Sequence, residues 1–238
     1  MPPVLLISAL LGGVLLYAVG SLSIRARLAK ASRGVIPSNA VEATARAGAI
    51  LLNACLNLVI WMRLAPEWGL IPGVVLAAIG VLSAVRPVAR HGRYQAVLGW
   101  TSWLMPMSWP ATGIGLAVFA ISWISTLWGT RDVRVDRTSG VVEVAGLPIL
   151  ADFRGGFNLG SFTFLLGAAP TPFAAVGISA HETGHTLNVA AFGSVWHLLG
   201  NGIEQNMRPF ARGVRAYGEL LAESRRPDPS RPVLRQWS

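Results

Sequence analysis

Long apolar runs alternate with short basic loops over the first half of the chain. Val4 to Ile24 is 21 residues without a charge, enough at about 1.5 Å per residue to cross a hydrocarbon core of about 30 Å. No Lys or Arg precedes it, whereas Arg25, Arg27, Lys30 and Arg33 follow at once. That order is the reverse of a cleavable signal peptide and predicts an uncleaved anchor with its N-terminus outside. Two further runs, Ala47 to Met62 and Trp68 to Val85, flank the short loop Arg63 to Glu67. With Trp61 and Trp68 at its edges, this reads as a helical hairpin with an aromatic belt at its turn. Asn53 and Asn57 are four apart on one helical face and are read as hydrogen-bonders to a neighbouring helix. The loop Arg86 to Arg93 carries three arginines and is expected to be cytoplasmic,.

From Tyr94 to Thr130 there are 37 residues without a formal charge, interrupted by Pro106 and Pro110. Either one helix, Trp109 to Trp128, crosses after an interfacial segment carrying Trp100 and Trp103, or the stretch forms a hairpin. Four crossings place the C-terminal half outside the cytoplasm. The period then changes. Val133 and Val135, then Val142 and Val144, alternate around Thr138-Ser139-Gly140, which predicts a β-hairpin. A second short β unit follows at Phe157 to Leu166. Thr171-Pro172 is an N-cap with Pro at the first helical position, so the apolar stretch Phe173 to Phe192 is expected to be a helix stopped by Gly193.

Composition supports the membrane reading. Of 238 residues, 53% are hydrophobic and 13% charged, more apolar surface than one soluble core of this size buries. The net charge of +9 is concentrated in the loops of the apolar half, where it faces anionic lipid. Nucleic-acid binding is not needed to explain it. The single cysteine, Cys55, excludes an intrachain disulfide and a cysteine-rich zinc set.

His181-Glu182-Thr183-Gly184-His185 matches H-E-x-x-H. On a helix the two histidines share one face, one turn apart, so both imidazoles reach one zinc ion. Glu182 beside them is placed to deprotonate water. Two histidines and a glutamate are costly to bury in so apolar a helix without a common partner, and a metal supplies one. A chain reversal at Gly193-Ser194 into an antiparallel helix sets residue 204 level with the pair, which favours Glu204 as third ligand. His197 is the rival if Ser194 to His197 runs extended; otherwise it is an interfacial residue. Ala211 to Arg226 reads as an amphipathic, solvated cap, with Tyr217 in a packing role, and the Pro-rich end as a disordered tail.

At these residues the chain resembles the zincin metallopeptidases, and more narrowly the His-Glu-x-Gly-His form of membrane-associated peptidases of the site-2-protease and membrane gluzincin kinds. Ser179 to Gly193 is similar to bacterial zincin-like sequences with a Gly eight residues after the second His. The likeness covers about Phe157 to Gln205. It implies zinc on His181 and His185, general-base work for Glu182 and a bacterial cytoplasmic-membrane location. No Leu-Asp-Gly triplet follows, as site-2 proteases have, and the third and sixth positions after His185 lack the metzincin Gly and His. A gluzincin-like glutamate is the nearest fit.

The expected fold is a mainly α integral membrane protein of about four transmembrane helices (1–130) with a small α+β zincin-like domain (131–224) and a tail (225–238). The expected function is that of a membrane-anchored zinc metallopeptidase acting on a peptide or protein substrate. The alternative is a non-enzymatic membrane scaffold or receptor subunit with a structural or vestigial zinc site.

Overall fold

The computed structural model describes residues 2–28, 39–125, 132–145, 155–166, 176–201 and 217–225. Helix α1 (Pro3–Leu28) packs along α2 (Ala40–Leu64). Asn39 starts α2 by a side-chain cap: its Oδ1 accepts the Glu42 N–H at 2.7 Å, satisfying one of the orphan donors of the first turn. α2 therefore begins before the apolar run does and takes Glu42 and Arg46 into its opening turns. After a turn at 65–69, α3 (Leu70–Leu82) packs against α2. Trp61 and Trp68 meet there with ring centroids 5.8 Å apart, and Trp109 joins at 6.4 Å from Trp61. The aromatic belt expected at the hairpin turn is thus a cluster of three rings.

Short helices α4 (Arg86–Ala89) and α5 (Gly92–Ser102) follow, and a 3₁₀ turn at Pro106–Ser108 feeds α6 (Trp109–Ser125). Within the uncharged stretch, the described residues hold α5 and then α6, and only the latter is of membrane length. Pro106 and Pro110 fall at the entry of that helix, where a missing N–H costs nothing. Among the described residues three segments are long and apolar enough to cross a membrane: Pro3–Ser23, Ala40–Leu64 and Pro106–Ile124. The run at Trp68 to Val85 yields only the 13 residues of α3, about 20 Å of helix. Leu15 (65% exposed), Ile71 (73%) and Ile121 (63%) show that α1, α3 and α6 all turn apolar side chains outward, as lipid-facing helices do.

The alternating segment forms the hairpin read from its pattern. β1 (Asp132–Val135) and β2 (Val142–Ala145) pair antiparallel with Val133 opposite Val144, around Gly140 at φ 71°, a left-handed conformation suited to glycine. β3 (Gly155–Leu159) and β4 (Phe162–Leu166) make a second antiparallel hairpin, and β4 joins β2 in parallel with Phe164 beside Val144. The order is β1-β2-β4-β3. Val144, Phe162 and Phe164 are buried against Trp103, Val118 and Phe119, so the small mixed sheet lies on α6.

Helix α7 (Val176–Phe192) packs against β3, α5 and α2. Its C-terminal end is fixed by Gly193 (φ 92°) and by Asn53, whose Nδ2 donates to the Ala190 and Ala191 carbonyls at 3.2 and 3.0 Å. Asn57 accepts the Met107 N–H at 2.9 Å. Both asparagines therefore serve as interhelical hydrogen-bonders, and the end of α7 sits at mid-height on a membrane-length helix. Residues Trp196–Asn201 are π-helical, and α8 (Tyr217–Ser224) lies against α7.

Candidate metal centre

Helical periodicity places His181 and His185 on one face of α7, and the two rings meet edge to face with centroids 4.8 Å apart. Their Nε2 atoms are 3.2 Å apart. Helix α8 supplies the third group: Glu219 Oε2 lies 3.0 Å from His181 Nε2 and 3.5 Å from His185 Nε2. The three atoms form a nearly equilateral triangle. Ligands at about 2.0 to 2.1 Å from a tetrahedral zinc ion stand about 3.3 Å from one another, and the observed edges of 3.0, 3.2 and 3.5 Å bracket that value. His181, His185 and Glu219 are the metal-competent group among the described residues, and all three are buried.

Glu223, one turn after Glu219, faces the other ring nitrogen of His181. His181 Nδ1 lies 3.1 Å from Glu223 Oε2, a fully buried carboxylate. With a metal on Nε2, Nδ1–H would donate to Glu223, the usual service of an outer carboxylate to a ligating histidine. Gly184 permits the approach: a Cβ at that position would strike the Ala222 backbone. The glycine within the motif is thus the point where α8 touches α7.

Without a metal, the surrounding carboxylates favour a protonated His181. Burial opposes charging His181, but its bonds to Glu219 and Glu223 and the nearby Glu182 charge outweigh that and hold its pKa at about 10. Burial would likewise raise Glu219, yet the His185 and His181 imidazoles keep it well below the usual carboxylate range. Glu182 is different. Burial pushes its pKa up, with His185 and His181 only partly opposing, the direction that suits a general base near neutral pH. It lies under β3, where a Cβ on Gly156 would stand 3.0 Å from Glu182 Cγ and Oε1.

Of the residues that the sequence marks as site groups, the structure brings His181, Glu182 and His185 together; Glu204 lies outside the described residues. Ser194 to His197 is helical rather than extended. His197 accordingly does not join the triangle: its ring stands 5.5 Å from that of His185, and its Nε2 lies 3.3 Å from the Asn158 carbonyl. Burial, followed by repulsion from His185, pushes its pKa down to about 4. Sequence reasoning alone misses Glu219 and Glu223 as site residues. The segment holding them is no solvated cap, since Tyr217, Leu220 and Glu223 are at most 1% exposed. A signal exists: Glu219 and Glu223 repeat at the same four-residue interval as His181 and His185, so two helices packed side by side present matching pairs. Tyr217 has its expected packing role, its hydroxyl donating to Glu42 Oε1 at 2.7 Å.

Compared with known proteins, the chain matches no family model, no curated protein and no solved structure.

Proposed function

We propose that this is an integral membrane zinc metallopeptidase in which His181, His185 and Glu219 hold the metal and Glu182 is the general base. One observation carries the reading: three buried ligand atoms stand 3.0 to 3.5 Å apart on two helices, with the H-E-x-x-H glutamate beside them. Among the described residues three ligands are present, the number a catalytic zinc site uses. A glutamate from a second helix as third ligand is the gluzincin-like arrangement that the sequence resembles.

Zinc there would supply Lewis acidity toward a peptide carbonyl and the attacking water. Glu182 does the proton work, taking a proton from that water and delivering it to the leaving amine. Glu223 keeps His181 in its ligating tautomer. The sheet supports a peptide substrate, because the order β1-β2-β4-β3 puts β3 at one edge of the described sheet, directly over Glu182. An extended peptide adds to such an edge through main-chain hydrogen bonds. The burial of all three ligands is the observation that favours the second reading, a non-enzymatic scaffold braced by metal.

Glu182→Gln separates the two. The variant is expected to keep its zinc, measured by metal mass spectrometry on detergent-purified chain, and to lose cleavage of a peptide library that the unaltered chain cuts. Retained turnover refutes the role given to Glu182. Zinc-dependent melting with no hydrolysis by either chain supports the scaffold.

A further inference from the structure

At the end of α2 remote from the tryptophan cluster, four arginines converge. Arg46, Arg86, Arg90 and Arg225 line one recess, with Ile50 and Leu221 as its apolar part. Its space is about 440 Å³, counting the portion open to the outside. The carboxylate of Glu42 is divided between two of them: Oε1 accepts from Arg46 Nε at 3.1 Å and Oε2 from Arg86 Nη2 at 2.9 Å. Arg46 Nη1 also donates to the Ala84 carbonyl at 3.0 Å.

Arg225 is the informative member. It is 6% exposed, its Nε donates to Asn188 Oδ1 at 2.8 Å, and its Nη1 is buried with no hydrogen-bond partner among the described residues. Burial lowers its pKa to about 10, with Tyr94 supporting and Arg46 opposing the charge, so it remains a cation at neutral pH. A buried guanidinium with an unused donor, facing three more arginines, is satisfied by an anion with several acceptor oxygens. Guanidinium forks match carboxylate and phosphate oxygens bidentately, and a phosphate group offers enough acceptor oxygens to engage several of them at once.

We propose that this recess binds a phosphate group, either that of an anionic lipid headgroup or free phosphate. The place in the fold suits the lipid: Glu42 and Arg46 open one membrane-length helix and Arg86 follows α3, so the recess sits where headgroups lie, and basic pockets between helices at that level take anionic lipid. The proposal is independent of the metal reading.

The test uses the full chain purified in detergent and reconstituted with phosphatidylcholine, with or without phosphatidylglycerol. Native mass spectrometry counts retained phosphatidylglycerol, and melting is followed against inorganic phosphate at constant ionic strength. One retained phosphatidylglycerol per chain without stabilisation by inorganic phosphate assigns the headgroup; saturable stabilisation by inorganic phosphate without lipid retention assigns the free anion. In either case Arg225→Gln and Arg90→Gln are each expected to weaken binding by about tenfold, the loss of one charge-assisted contact. Arg90 is exposed at the rim, so its variant keeps the test open if Arg225→Gln fails to fold. Arg93→Gln, also exposed but not lining the recess, is expected to bind as the unaltered chain does. Binding of neither probe, or equal loss in the Arg93 variant, overturns the proposal.

Discussion

Replacing Gly184 with alanine tests whether α8 completes the centre. A Cβ there would stand 2.9 Å from both the Ala222 carbonyl carbon and Cα, and closer still to the carbonyl oxygen. Carbon atoms in contact sit about 3.5 to 4.0 Å apart, so α8 must withdraw by roughly half an ångström or more. Metal–ligand distances tolerate about 0.2 Å, and Glu219 rides on that helix. Overpacking of this kind costs about 1 to 3 kcal/mol, of which up to about 1 kcal/mol is returned by the better helix propensity of alanine. The expected outcome is a chain that still folds, melts a few degrees lower and binds zinc at least about tenfold more weakly. Competition with a chelating dye reads the affinity, and circular dichroism the melting. Gly80→Ala is the control: nothing lies within 4 Å of a Cβ there, so it is expected to leave zinc binding unchanged. If Gly184→Ala holds zinc as tightly as the unaltered chain, the close contact of α7 and α8 does not position the third ligand, and the reasoning fails.

Glu219→Gln is expected to cost more than about 100-fold in zinc affinity while Glu204→Gln costs little; the reverse result moves the third ligand to Glu204. Glu223→Gln, which loses the acceptor for His181 Nδ1, is expected to weaken zinc by about 10- to 100-fold, and an unchanged affinity would remove its orienting role. In the metal-free chain His181 holds a proton with a pKa of about 10, and zinc must displace it. Calorimetry at pH 7 in buffers of different ionisation enthalpy is therefore expected to show about one proton released per ion, and affinity to rise about tenfold per pH unit until near pH 10. Zero protons released would mean that His181 is neutral before the metal arrives.

What the sequence disclosed was local. The spacing of His181 and His185 is a property of one helix, and the valine alternation around Gly140 is a property of one hairpin, so both were legible without tertiary information. Asn53 and Asn57 declared themselves because an amide in an apolar run needs a partner, whatever that partner is. The parallel pairing of β2 with β4 and the approach of α8 to α7 join segments far apart in the chain, and no short-range pattern encodes them. Glu219 and Glu223 read as solvated because carboxylates on a short amphipathic helix usually are. Their burial depends on the two imidazoles opposite, and on a glycine small enough to let the helices touch. Helix α3 is shorter than its apolar run for a related reason: such a run sets an upper limit on a helix, and the chain leaves the helix at Ser83, whose hydroxyl pairs with that of Tyr94 at 2.7 Å.

The bond from Tyr217 to Glu42 spans 175 positions of sequence, and it ties the base of the α8 helix to the opening turn of α2. A chain made from its N-terminus presents α1, α2 and α6, its three membrane-length helices, before α8 exists,. Glu42 therefore waits through most of synthesis for its phenol, and His181 and His185 wait with it for Glu219. His181, His185 and Glu219 can come together only once residues 217–223 have been made, so the candidate metal centre, tied through Tyr217 to Glu42, draws on both the early and the late parts of the chain.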